Sequence, residues 1–425
     1  MRNLLCRVSA ALALALTLPV ACVDPAISER HAQLEVPLEL RTVYHDGILR
    51  GADGSVIVDV NIDGLPDIIA PWEQSNKVTV SYHPGYAMLG EIGNWPTDTL
   101  TLPSGAAPES AAGGDINDDG DIDIVSCGDA SRKFWIHFDT GSTWTRVDLT
   151  AASTIQNWLV CFPFDIDGDG QLDIIAGGRG YSKLGVWHTG SVGYFTSSTP
   201  TVGSSWVWHE VTPAGWAYTV VPIDPNGDGI WDLGIIDGDY IHSTPPDYSY
   251  RGSRWAERTA LGTVVNHPIA SGGGLMGTMR MGDFGPTSIV DTSYYALTGN
   301  HITVRETADW VTWTSFELPP MDDVGHVHDV TRCDITGDGI DDYVVSYAHA
   351  DSNESDEIED VQGILVIDGA TLEPVGGIGV VGTKFDHVEC VKLHDNEKFS
   401  IVGSEQRSNN SPAALQLGVF YLEIL

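Results

Sequence analysis

The chain has 425 residues, the length of two or three ordinary domains, and carries 21 Lys+Arg against 59 Asp+Glu, a formal net charge of −38. That sign argues against nucleic acid or an anionic membrane surface as a partner. A hydrophobic fraction of 42% excludes a disordered acidic tail, and 41 Asp against 18 Glu, with 47 Gly, favour turns and hard-cation sites over helix surfaces.

Residues 1–22 read as an export signal: Arg2 and Arg7 precede an apolar run from Val8 to Ala21, too short to span a bilayer permanently. The run ends Pro19-Val20-Ala21-Cys22, which resembles the bacterial lipoprotein signal. The resemblance implies a lipid on Cys22 and, with Val23 following, an outer-membrane or cell-surface location; plain secretion with cleavage near Ala21 is the alternative, leaving the protein secreted or periplasmic. Residues 23–35 read as a tether, and no later stretch reaches the ~18 apolar residues of a spanning helix, so membrane contact is expected only through the lipid. Beyond the signal lie Cys127, Cys161, Cys333 and Cys390. In an exported protein they allow two disulfides, in any of the three pairings open to four cysteines, or four buried thiols.

Asp59-Asn61-Asp63-Gly64-Asp67 opens a series that continues with Asp115-Asn117-Asp119-Gly120-Asp123 and Asp165-Asp167-Asp169-Gly170-Asp173. Asp224-Asn226-Asp228-Gly229-Asp232 and Asp334-Thr336-Asp338-Gly339-Asp342 complete five copies of D-x-[DNT]-x-D-G-x-x-D, which hold 19 of the 41 Asp. Side-chain oxygens at positions 1, 3, 5 and 9 and the carbonyl of position 7 can surround one Ca²⁺, while glycine at position 6 permits the sharp turn. An EF-hand needs Glu at position 12, where this chain has Ala70, Ser126, Ala176, Ile235 and Val345. Each loop runs directly into an apolar β-type segment, so it joins two strands.

These loops resemble FG-GAP/VCBS-type repeats, as in the propeller of integrin α-chains, and the resemblance implies an all-β fold in which each loop links the first and second strands of a blade. The motifs start at 59, 115, 165, 224 and 334. A worn copy around Asp283 fits the long gap, and another, from Lys392 through His394, Asp395 and Glu397, follows the fifth. Seven repeats result, five of them expected to hold Ca²⁺. The expected domain is a seven-bladed β-propeller over residues 36–425, its last blade completed by the N-terminal run Leu38–Tyr44, which removes the open edge.

Third strands ending in His83, His137, His188 and His242, and fourth strands carrying Trp95, Trp144, Trp208, Trp255 and Trp313, read as packing inherited by repeat duplication rather than a ring of ligand contacts. Away from the calcium loops, His328 stands six residues before Asp334, ~20 Å of strand, and so at the far mouth of the channel. His326 and Asp329 flank it; His387, with Asp386 and Glu389, aligns with it one blade on, and the acidic loop 349–362 lies over that mouth. His328 and His387 are the candidate acid/base groups or transition-metal ligands, against a hydrated polar lining. No G-x-S-x-G or H-E-x-x-H motif occurs, so the expected function is a surface binding or adhesion module for an extracellular protein or glycan. A polysaccharide lyase or hydrolase using the His/carboxylate mouth is the alternative, and a purely structural surface component the third.

Overall fold

The computed structural model describes residues 38–183, 186–237, 252–269, 288–295, 299–307, 310–318, 324–349, 361–381, 384–396, 398–406 and 417–424. The signal with Cys22, the tether, His242, the Asp283 loop, residues 350–360 and Glu397 lie outside them, as do the side chains of His326 and His328.

The apolar runs behind the aspartate motifs form strands. Asp67–Trp72, Asp123–Gly128, Asp173–Arg179, Asp232–Asp237 and Asp342–His349 each begin on the ninth residue of a motif and are the second strand of their sheet. Alternate side chains on a strand point to opposite faces. In Asp67–Trp72, Ile68, Ala70 and Trp72 enter a core shared with the last sheet, whereas Ile69 enters one shared with the next. A strand buried on both faces therefore reads as an unbroken apolar run.

The fold is all-β, built from small antiparallel sheets in the manner of a propeller. Among the described residues six sheets have four strands and one has three, with one added two-stranded hairpin. The first sheet comprises Val56–Val58, Asp67–Trp72, Lys77–Ser81 and Thr97–Thr101; the second, Pro108–Gly114, Asp123–Gly128, Lys133–Asp139 and Trp144–Asp148. The third holds Asn157–Phe164, Asp173–Arg179, Gly190–Thr196 and Val207–Ala214; the fourth, Ala217–Ile223, Asp232–Asp237, Gly252–Arg258 and Val264–Pro268. Ser288–Tyr295, Gly299–Thr307 and Trp313–Glu317 form the fifth, and Val324–Cys333, Asp342–His349, Val361–Ile367 and Pro374–Val381 the sixth. The seventh runs in spatial order Lys384–Val391, Ser400–Gln406, Val419–Ile424, Leu38–Tyr44, with Leu38 opposite Ile424 and Thr42 opposite Phe420.

Apolar seams link each sheet to the next. Trp135 and Ile124 of the second sheet meet Val78 and Val80 of the first, and Phe134 and Ile136 on the other face meet Trp158 and Ile174 of the third. The series ends where Val402, Val419 and Tyr421 of the seventh sheet pack on Ile68, Ala70 and Trp72 of the first. A disulfide joins Cys333 and Cys390, on the first strands of the sixth and seventh sheets, while Cys127 and Cys161 are buried thiols.

Two positions differ from the repeat pattern read in the sequence. The third strand of the third sheet is Gly190–Thr196, and His188 lies instead in an extra hairpin, Tyr181–Lys183 with Val186–His188. Gly190–Thr196 takes the place in the sheet because it carries the buried Val192 and Phe195, and because Gly190 sits where a Cβ would meet the Arg179 backbone 2.7 Å away. Trp255 is on a third strand, not a fourth, stacked on His267 of its neighbour with ring centroids 4.0 Å apart.

Candidate metal centres

All five motif loops connect first and second strands and share one internal hydrogen-bond pattern. The position-1 carboxylate accepts the position-6 amide on one oxygen: Asp59 from Gly64 at 2.8 Å, Asp115 from Gly120 at 2.9 Å, Asp165 from Gly170 at 3.0 Å, Asp224 from Gly229 at 3.1 Å and Asp334 from Gly339 at 2.9 Å. The position-5 carboxylate accepts the position-7 amide, as Asp63 does from Leu65 and Asp338 from Ile340. These bonds bend the loop around its own oxygens. The turn needs two left-handed residues: the position-6 glycines have φ between 82° and 96°, and position 4 is also left-handed, at Ile62 (58°), Asp118 (58°), Gly168 (78°), Gly227 (68°) and Gly337 (78°).

Position 9 ties the loop to the sheet. Asp67, Asp123, Asp232 and Asp342 are fully buried and Asp173 nearly so. In Asp67, Asp123 and Asp342 one oxygen accepts an amide inside the loop, from Val60 at 2.9 Å, Ile116 at 3.0 Å and Ile335 at 2.8 Å respectively. The other accepts an amide at the end of the third strand: His83 to Asp67 at 2.8 Å, Asp139 to Asp123 at 3.0 Å, Arg258 to Asp232 at 2.7 Å and Gly369 to Asp342 at 2.9 Å.

Burial, reinforced by neighbouring loop carboxylates, pushes Asp123 and Asp173 up to about 7 and Asp232 up to about 6, and burial also raises Asp67. The loops thus concentrate more negative charge than they neutralise, in a shape suited to a hard cation. Carboxylate oxygens of Asp165, Asp167 and Asp173 lie within 4.8 Å of one another, the span across a sphere of Ca²⁺–O bonds of about 2.3–2.6 Å. Oδ2 of Asp173, Oδ2 of Asp232 and Oγ1 of Thr336 are buried without a hydrogen-bond partner. Oxygen-only donors, orphaned oxygens and an exposed ligand at position 5 of every loop fit Ca²⁺ entering from solvent.

Of the histidine series, His83 and His137 pack rather than converge. His83 is 5% exposed, with Nε2 2.9 Å from the Leu393 carbonyl, so the worn loop after Val391 serves as a seam to the first sheet. His137 is buried, which lowers its imidazole to about 4 and keeps it neutral. Trp158 and Trp208 meet edge to face, with centroids 5.1 Å apart, in the seam beside Phe195.

On the inner strands of the sixth and seventh sheets, His387 Nδ1 lies 2.6 Å from Oδ2 of the fully buried Asp329, and its Nε2 lies 3.8 Å from Glu389. Asp329 Oδ2 also accepts the Val388 amide at 3.1 Å, tying the two sheets together. Ser110 Oγ does the same between the second and third sheets, accepting the Cys161 amide at 3.3 Å. His387, Asp329 and Glu389 are therefore brought together.

Family comparison finds an FG-GAP-like repeat at residues 115–176 and again at 165–235. The chain is similar in fold to BBS1N, solved in complex with ARL6DN, at 10% identity and TM-score 0.47, over 91% of this chain and 96% of that one. It is also similar to the V. cholerae biofilm matrix protein Bap1, at 14% identity and TM-score 0.45, over 92% of this chain and 91% of that one. Comparison with curated proteins finds no relative by sequence.

Proposed function

We propose that this chain, with FG-GAP-like repeats across its second to fourth sheets, is a calcium-stabilised seven-bladed propeller, exported and held at the cell surface, that binds an extracellular protein or glycan. The observation that carries the reading is the loop built five times on one hydrogen-bond plan, with carboxylate oxygens converging in the third copy and buried oxygens left over in the third, fourth and fifth. Asp59, Asn61, Asp63 and Asp67 would hold the first ion, and the matching positions of the other four loops the rest. Bound Ca²⁺ supplies positive charge that relieves the repulsion inside each loop; the chain's own residues shape the turn and clamp it to the third strand.

Extracellular-type sites bind with Kd of about 10⁻⁴ M, so at about 1 mM free Ca²⁺ each adds roughly 1.4 kcal/mol, or about 7 kcal/mol for five independent sites. That is the size of a domain's whole stability. The Cys333–Cys390 disulfide supports an oxidising compartment, because cytosolic thiols are kept reduced. Metal analysis of the purified protein tests the calcium reading: about five Ca²⁺ per chain is expected, and a chain free of Ca²⁺ whose melting is unaffected by added Ca²⁺ would end it. Glycan and extracellular-protein arrays test the binding reading, which needs at least one saturable ligand.

A second reading has one observation in its favour. Asp329 holds Nδ1 of His387 and leaves Nε2 facing Glu389, an orientation suited to acid/base work on a polysaccharide. Turnover of any such substrate that survived His387→Ala would remove it.

A further inference from the structure

Cys127 lies on the second strand of the second sheet and Cys161 on the first strand of the third, 0% and 1% exposed. Both belong to the core those sheets share, beside Phe134, Trp158 and Ala176. Ser110 sets them against each other. It stands opposite Cys127 in the second sheet, its Oγ accepts the Cys161 amide at 3.3 Å, and its carbonyl accepts from Cys161 Sγ at 3.7 Å. After burial itself, the neighbouring Cys161 is what raises the Cys127 thiol most. Two sulfurs in an apolar seam lack the four donors of a structural zinc site. What they do match is the relation of Cys333 to Cys390, which also bridges neighbouring sheets.

We propose that Cys127 and Cys161 are a disulfide-forming pair that closes when the chain folds in an oxidising medium, strapping the second sheet to the third. One thiolate attacks a disulfide oxidant such as oxidised glutathione, releasing one thiol and leaving a mixed disulfide; the other cysteine, losing its proton, displaces the second thiol. Two cysteine thiols are oxidised and one oxidant disulfide is reduced to two thiols. The step belongs to folding. Once the sheets have docked, burial raises the Cys127 thiol well above its ordinary range, and the apolar seam shuts out the oxidant.

The pair rests on thiol geometry and not on the calcium loops, so its test is read separately from theirs. The full chain is refolded in calcium buffer with reduced and oxidised glutathione, residual thiols are alkylated under denaturing conditions, and disulfide-linked peptides are mapped by mass spectrometry. A peptide pair linking Cys127 to Cys161 is expected beside the Cys333–Cys390 pair, and it disappears in Cys161→Ala. If Cys333 and Cys390 are linked while Cys127 and Cys161 both carry the alkylating label, or if either is linked to Cys333 or Cys390, the proposal is overturned. A second measurement adds the same oxidant to protein already folded under reducing conditions. Closure at least tenfold slower than during refolding is expected, and equal rates would overturn the assignment of the step to folding.

Discussion

Replacing Asp123 by Asn tests the link between loop charge and sheet stability. The carboxylate is fully buried and accepts two amides, from Ile116 at 3.0 Å and from Asp139 at 3.0 Å. An amide side chain keeps the volume but offers one oxygen, so one of those N–H groups loses its acceptor and faces a donor. Leaving a buried donor unsatisfied costs about 1–3 kcal/mol, and the lost ion removes a further ~1.4 kcal/mol when Ca²⁺ is about tenfold above its Kd. The variant is therefore expected to be about 3 kcal/mol less stable in Ca²⁺, and less affected in EDTA, where only the hydrogen-bond cost remains. Urea unfolding in the two buffers measures the difference, and elemental analysis should show one Ca²⁺ fewer per chain. An unchanged calcium count, or the same loss of stability in both buffers, would refute the reasoning.

The loop carboxylates also set a pH dependence. Asp123 and Asp173 at about 7 and Asp232 at about 6 stand above the ordinary carboxylate value, so the ion-free folded chain binds more protons than the unfolded one. In EDTA this contribution is complete at low pH and lost as pH rises through 6 to 7, so the melting temperature should fall between pH 5 and pH 8; saturating Ca²⁺ should flatten or reverse that trend, and matching slopes in both buffers would count against it. Ile62 holds a left-handed conformation (φ 58°) while 59% exposed. Ile62→Gly should relieve about 1–2 kcal/mol of strain against ~0.5–1 kcal/mol of added chain entropy, raising the urea midpoint slightly, whereas a lowered midpoint would contradict the strain. Trp135 is fully buried at the seam of the first two sheets with an unpartnered Nε1. Trp135→Ala should cost about 3–5 kcal/mol in urea unfolding and Trp135→Phe clearly less, since the ring keeps most of the packing and drops the orphan donor.

The loops were legible because the side chains at positions 1, 3, 5 and 9 and the glycine at position 6 recur at fixed spacing in all five copies. Position 4 carried a weaker sign, glycine at 168, 227 and 337, which points to the left-handed turn that Ile62 and Asp118 also adopt. The clamp from position 9 to the third strand left no trace, because its partner is a backbone amide that any residue supplies. Repeat counting misplaced His188 because a hairpin inserted within one sheet moves the following strand along the chain. It misplaced Trp255 because aromatic side chains fill seams from either strand. The pairing of Cys333 with Cys390 depends on which first strands are neighbours, and spacing alone does not carry that. His387 and Asp329 were picked out as neighbours of one mouth, but the tie from Asp329 to the Val388 amide is again a backbone contact without a sequence signature.

The pairing of Leu38 with Ile424 sets an order of events during biosynthesis. The partner of the first described strand lies 424 − 38 = 386 residues downstream, so Leu38–Tyr44 has no sheet to join until Val419–Ile424 has been made. Until then Val43, Ile68 and Trp72 lack the Val402, Val419 and Tyr421 surface that covers them. Local hairpins can form as they emerge, but ring closure is the longest-range contact and bears the largest loop-closure entropy. A nascent chain stalled before Val419 would present both an apolar seam and an unpaired strand edge, making Val419–Ile424 the checkpoint between a closed ring and an aggregation-prone open one.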